Sequence, residues 1–289
     1  MNDNLNKLQK ILAKAFRKAK RWYVAYLACQ FAVLIFAIIS IFFEISPNLT
    51  AVIAFLGVLA SECVRWRSDY WKSEGETAKR SLELADGLGA ALESRDIADW
   101  LAAKPKGFLD DVAANEIMGS EFDSTQPVGP RRMLENTQES AWWSKHESRS
   151  MTFYLGGILI IVLVAAFVAL AVSIGTLKAA NVPQTGVLVQ NVGGIICSAL
   201  VFVFSVNLIR LLVEFWTFAS RSEDILRRSG ELLKLPAPSE REALSMLHAY
   251  QIARNSAPLL PTLVWKLRGG HLREQWASFR PKVQPPASL

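Results

Sequence analysis

The chain has 289 residues, 51% of them hydrophobic, and a formal net charge of +6 from 32 Lys and Arg against 26 Asp and Glu. That length bounds it to one or two domains. The apolar residues are concentrated in four runs flanked by basic residues, so the positive balance reads as a membrane-orientation signal and not as the mark of a DNA or RNA polymer partner. Cys29, Cys63 and Cys197 fall in or beside those runs, which excludes a disulfide framework and a thiolate metal cluster.

Residues 1–21 repeat Leu5, Leu8, Leu12, Ala15, Phe16 and Ala19 at helical spacing, with lysines and arginines on the other face. This is an amphipathic basic helix, able to lie on an anionic leaflet, to pack on a polar domain, or to run into the first span as an anchor. Residues 22–64 read as a transmembrane hairpin. Trp22 to Phe43 carries no charge, and Ile45 to Ser61 follows after a short break. Residues 150–216 read as a second hairpin, built from the charge-free stretches Ser150 to Leu177 and Val192 to Ile209. A bilayer core needs roughly 20 apolar residues of helix, so four spans are expected. The first run is too long for a signal-peptide core and lacks a small-residue cleavage site, so it is expected to stay in the mature protein.

Orientation follows from the basic flanks. Lys7, Lys10, Lys14, Arg17, Lys18, Lys20 and Arg21 precede the first span. Arg65 and Arg67 follow the second, Lys145 and Arg149 precede the third, and Arg221, Arg227 and Arg228 follow the fourth. The opposite side has only Glu44 and Lys178 near the spans. Both termini are therefore expected in the cytoplasm, with residues 65–149 as a cytosolic loop and 217–289 as a cytosolic tail.

In that loop, Ala78, Leu82, Ala85 and Leu92 make a seam for another helix, while Gly75, Gly87 and Gly89 are expected to weaken the helix that carries them. Residues 104–130 read as loop with short helical pieces, ending in the break "STQPVGPRR". A helix from Arg131 leads to the third span, with Trp142 and Trp143 at the headgroups or in a domain core. In the tail, Ser239 and Glu242 form a capping-box pattern. Pro258 and Pro261 interrupt the tail helices, Gly269-Gly270 is expected to break the chain again, and "PKVQPPASL" has a disordered composition. No strand pattern is present. The fold class is an all-α membrane protein: four transmembrane helices in two hairpins, with a helical cytosolic domain built from the loop and the tail.

The three histidines lie far apart, and no phosphate loop, paired-histidine zinc pattern or nucleophile elbow occurs. No catalytic residue, metal or cofactor is expected, and the chain does not read as an enzyme. The third span repeats Ala165, Ala169 and Ser173 every four residues, a small-residue face for close helix contact within or between protomers. The fourth span carries Asn207, Arg210 and Glu214 on one face, where Arg210 and Glu214 can pair. Ionisable residues inside a membrane are functional candidates by default, yet these stand in the last turns, where arginine snorkels and glutamate is hydrated. A pore or interhelix role and a wet helix end both remain open. Two basic clusters are candidate anion sites: Arg131 with Arg132 after a Pro-Gly turn, and Arg254, Lys266, Arg268, His271 and Arg273 in the tail. The alternative for both is lipid headgroups or water.

The tail segment "LHAYQIARNSAPLLPTLVWKLRGGHLREQW" has Gln251 and Arg254 on a helix, then Pro258, an aliphatic pair, Pro261, Trp265 and a charged helix around Glu274. It resembles the C-terminal segment of the SMODS-associating four-transmembrane effectors of bacterial antiviral systems that signal with cyclic oligonucleotides. The two-loop-two layout, inner termini and basic first helix are similar as well. Thr262-Leu263 departs from the pattern, since an acidic-aromatic pair is expected there, and the inner loop has no clear counterpart. The resemblance implies an inner-membrane effector that assembles as a homo-oligomer when a cyclic di- or trinucleotide binds its cytosolic domain, opening the bilayer and halting the infected cell. Layout alone also fits an ion-conducting stator subunit or an adaptor that places a domain at the membrane. The nearly apolar third span argues against the stator.

Overall fold

The computed structural model describes residues 2–43, 45–114, 122–179, 192–194, 196, 203 and 207–279. Among them every regular element is helical. Three helices are long and apolar enough to cross a membrane, which gives the chain the character of a multi-pass membrane protein. Much of the fourth expected span and all of the "PKVQPPASL" terminus lie outside the described residues.

Helix α1 spans Asn2–Phe42 and α2 spans Pro47–Leu88. Each is about 60 Å long at the usual rise of ~1.5 Å per residue, so each runs well beyond a bilayer core. Pro47 suits the first turn of α2, where its missing N–H costs nothing. Gly89 ends α2 in the left-handed conformation, φ 71°, donating its N–H to Ala85, while the Ala90 N–H reaches Leu84. Between these ends the helix passes unbroken through Gly75 and Gly87, contrary to the expectation that these glycines weaken it. The reason is packing. A Cβ on Gly75 would stand 3.1 Å from the Phe16 ring, and one on Gly87 would meet Met133 side chain and backbone at 2.8–3.1 Å. Both glycines allow close helix approach.

Inside the apolar portion of the first pair, Gln30 is 2% exposed and donates to Ser61 at 2.7 Å. In lipid such a bond joins helices that gain nothing from hydrophobic burial against each other. The polar halves of α1 and α2 pack with α3 (Ser94–Ala102) and α4 (Lys106–Ala114). The amphipathic start of α1 thus buries Leu8, Ile11, Leu12, Ala15 and Ala19 against Trp71, Ala78, Leu82 and Phe108. Its apolar stripe is occupied by protein. Trp71 stacks on Phe108 with centroids 5.0 Å apart. Lys14 reaches Asp111 and, through that hydrogen bond, holds the Asp111 carboxyl below its ordinary range.

The second half begins with α5, Pro130–Ala179, again with proline at a helix start. It packs on α6 (Leu208–Leu233), α7 (Glu240–Asn255) and α8 (Thr262–Phe279). Both halves of the Ser239/Glu242 capping box are formed. Pro258 and Pro261 fall in the connection between α7 and α8. Gly269-Gly270, expected as a break, lies within an unbroken α8 because Gly269 leaves room for the Trp265 ring, 3.3 Å from where a Cβ would be. Trp142 belongs to the core, 4% exposed against Leu272 and Trp276, and Trp143 lies against Trp265 at 5.1 Å. Trp22, Trp66 and Trp216 are 38%, 83% and 61% exposed where the apolar runs give way to charge, the level at which indole rings meet headgroups.

Candidate functional cavity

The two halves meet along a polar seam. Helix α2 presents Glu76, Glu83 and Asp86 at spacings of seven and three, one stripe of an α-helix. Arg254 of α7 fills the gap between the first two, bonding Glu76 through Nε and Glu83 through a terminal nitrogen at 2.8 Å. Gln251 adds a bond to Glu83 at 3.1 Å. Arg254 is 8% exposed. Burial works against its charge, but Glu83, Tyr250 and Glu76 more than offset this and raise its pKa. Further along, Arg132 grips Asp86 with two bonds of 2.7 and 3.1 Å, and Asn136 donates to the same carboxylate at 2.7 Å.

Above this seam the halves leave a cavity of about 800 Å³, within the size range of small-molecule sites. Its basic residues come from both halves: Lys20 of α1, Lys72 and Lys79 of α2, Arg254 of α7 and Arg273 of α8. Aromatic rings make up much of the rest, chiefly Trp143, Trp265, Trp276, Tyr250, Phe16 and Phe122. The Arg273 guanidinium lies 5.5 Å from the Trp265 ring centroid, a cation–π distance. Tyr250 is fixed by its hydroxyl, which pairs with Ser144 at 2.9 Å. Carboxylates are also present: Glu76, Asp123, Glu139 and Glu147. A volume with cations, flat apolar faces and hydrogen-bond acceptors suits an anion that carries aromatic rings.

The sequence-derived anion candidates distribute unevenly around it. Arg273 lines the cavity as a cation over an aromatic face. Arg254 lines it too, but its guanidinium is engaged by Glu76 and Glu83. Arg132 is committed to Asp86. Arg131 borders a neighbouring cavity of about 400 Å³ and donates to the Leu233 carbonyl at 3.3 Å. Arg268 donates to Ser150 at 2.7 Å, His271 contacts Gln275 at 3.0 Å, and Lys266 is exposed on α8. Lys20, Lys72 and Lys79 were missed. They belong to segments whose spacing marks helix packing, and only the tertiary fold turns them toward one space.

A smaller cavity of about 190 Å³ lies beside the ends of the apolar segments. Asn207, Arg210 and Glu214 line it, with Tyr23, Tyr26 and Arg65. Arg210 pairs with Glu214 at 2.7 Å. Asn207 precedes α6 in the left-handed conformation, φ 53°, and is the one non-glycine with positive φ among the described residues. The connecting residues Ala257, Pro258 and Leu259 border both this cavity and the large one. Lys72 borders both as well, and its amine donates to the Asn255 and Ala257 carbonyls at 3.1 and 2.5 Å. In the small-residue stripe of α5, Ala165 is exposed, and the side chains of Ala169 and Ser173 lie outside the described residues.

No protein-family model, curated protein or solved structure matches this chain.

Proposed function

We propose that this protein is a membrane-disrupting antiviral effector, gated by a cyclic di- or trinucleotide that occupies the 800 Å³ cavity. One observation carries the reading. Each of the three candidate spanning helices runs without interruption into the wall of that cavity: α1 through Lys20, α2 through Lys72 and Lys79, and α5 through Glu139, Trp143 and Glu147. A continuous helix is a stiff rod, so a ligand that draws the lysines of α1 and α2 toward Arg273 of α8 changes the angle at which the spans meet. Binding energy is thereby converted into a change of tilt between two hairpins, the kind of two-state rearrangement that gating requires. The termini and the cavity face the cytoplasm of a bacterial inner membrane in this reading, and protomers assemble around the opened spans. The protein performs no reaction on its ligand.

Lys79 and Arg273 stand on opposite halves of the cavity wall. Reversing both, Lys79→Glu with Arg273→Glu, is expected to weaken cyclic-nucleotide binding roughly tenfold or more, while membrane insertion and the helical circular-dichroism signal stay as in the parent. Calorimetry on the detergent-solubilised full chain reads the affinity. Undiminished binding by the double variant would place the ligand elsewhere.

A further inference from the structure

The small cavity beside the apolar segments, about 190 Å³, falls below the roughly 300–1,000 Å³ of sites that enclose a whole small molecule. Its depth is marked by aromatic residues. Trp22 of α1, Trp66 of α2 and Trp216 of α6 are exposed. Each stands one or two positions from a residue of the cavity wall: Tyr23, Arg65 and Glu214. Exposed indoles gather at the headgroup layer of a bilayer, so the cavity lies at the level of lipid phosphates. Val24 of α1 and Ile209 and Val213 of α6 are exposed on the apolar side of that level, a surface along which acyl chains can lie.

Charge selects the headgroup. The Arg65 guanidinium has carboxylate oxygens of Glu62 and Asp69 at 3.7 and 4.0 Å, beyond hydrogen-bond distance. Arg210 bonds Glu214 through Nε at 2.7 Å, which leaves its two terminal nitrogens and the second Glu214 oxygen for a ligand. The Arg210 side chain is 67% exposed, so these donors are within reach. Lys72 is engaged by two backbone carbonyls. The wall thus offers two accessible guanidiniums, Arg65 and Arg210, balanced by two carboxylates, Asp69 and Glu214. Guanidiniums pair with a phosphodiester. The carboxylates would repel a purely anionic lipid, but they accept charge-assisted hydrogen bonds from an ammonium.

We infer that this cavity holds one zwitterionic phospholipid headgroup with a primary ammonium. Its phosphate lies on Arg65 and Arg210, its ammonium on Asp69 and Glu214, and its acyl chains stay in the bilayer. A trimethylammonium carries the same charge but has no N–H to donate. The inference needs no nucleotide and stands apart from the gating proposal.

The test is native mass spectrometry of the full chain, without nucleotide, in detergent carrying equal amounts of phosphatidylethanolamine, phosphatidylcholine and phosphatidylglycerol. One ethanolamine lipid per protomer is expected to be retained, roughly tenfold over either of the others, in line with hydrogen bonds to a charged group. Arg65→Gln with Arg210→Gln should abolish that retention. Glu214→Gln removes one negative charge at nearly the same size and should shift the preference toward phosphatidylglycerol. Soluble glycerophosphoethanolamine at the same concentration should not displace the lipid. Displacement by it would assign the site to a free phosphate ester and overturn the lipid assignment. Equal retention of the three lipids, a preference for phosphatidylglycerol, or an ethanolamine preference that both variants keep also overturns it. Because the lipid series uses the parent protein, the preference is read even if a variant unfolds.

Discussion

Arg254→Met is expected to destabilise the junction of the two halves by about 3–5 kcal/mol, the cost of leaving buried charge without its partner. The guanidinium sits between Glu76 and Glu83, with Gln251 on the latter, and little water reaches any of them. Removing it leaves two carboxylates facing each other across one helix face with a single amide for company. The charged network as a whole is worth much less than this figure, because a neutral replacement of all its members avoids the desolvation cost. The triple variant Arg254→Met, Glu76→Gln, Glu83→Gln should therefore recover much of the loss. Thermal unfolding in detergent, followed by tryptophan fluorescence, measures both. The single variant is expected to melt on the order of 10 °C lower than the parent. A loss below about 1 kcal/mol would mean that the cluster behaves as a hydrated surface pair.

Asn207→Leu is expected to cut nucleotide-evoked opening by about an order of magnitude while leaving insertion unchanged. Asn207 holds φ 53° and ψ 41° at the head of α6, a region that costs an ordinary side chain roughly 1–2 kcal/mol and that asparagine and glycine tolerate. A helix does not run through a residue in that conformation, so α6 begins at Leu208. Its first turns border the same small cavity as the Ala257–Leu259 connection, whose other side faces the large cavity. Leucine disfavours the left-handed conformation at position 207 and so changes how α6 starts. Asn207→Gly preserves the left-handed option and should retain most of the response. Equal leakage by the leucine and glycine variants would show that the conformation at 207 plays no part in opening.

Much of the architecture was legible because it rests on local patterns. The apolar runs marked the long helices, Ser239 with Glu242 marked the start of α7, and the turn before Pro130 marked the start of α5. What was not legible depended on partners distant in the chain. Gly75, Gly87 and Gly269 looked like weak points, since glycine is unfavourable in a helix unless something packs against it, and the rings and side chains that do so lie elsewhere in space. Arg254 looked like a free cation for a ligand because its counterions, Glu76 and Glu83, are more than 170 positions away. The amphipathic start of α1 left lipid, protein and a plain anchor into the first span as choices, and the packing of its stripe on Trp71 and Phe108 shows that protein covers it. The cavity itself draws on α1, α2, α5, α6, α7, α8 and their connections, so no single stretch announces it.

The gated-opening account is tested most directly by dye release from liposomes that contain the purified full-length protein, with and without cyclic di- and trinucleotides. The account predicts little release without nucleotide, rapid release with the cognate one, and none from the Lys79→Glu, Arg273→Glu variant with the same ligand. Release that is equal with and without every nucleotide, or absent with all of them, would contradict it.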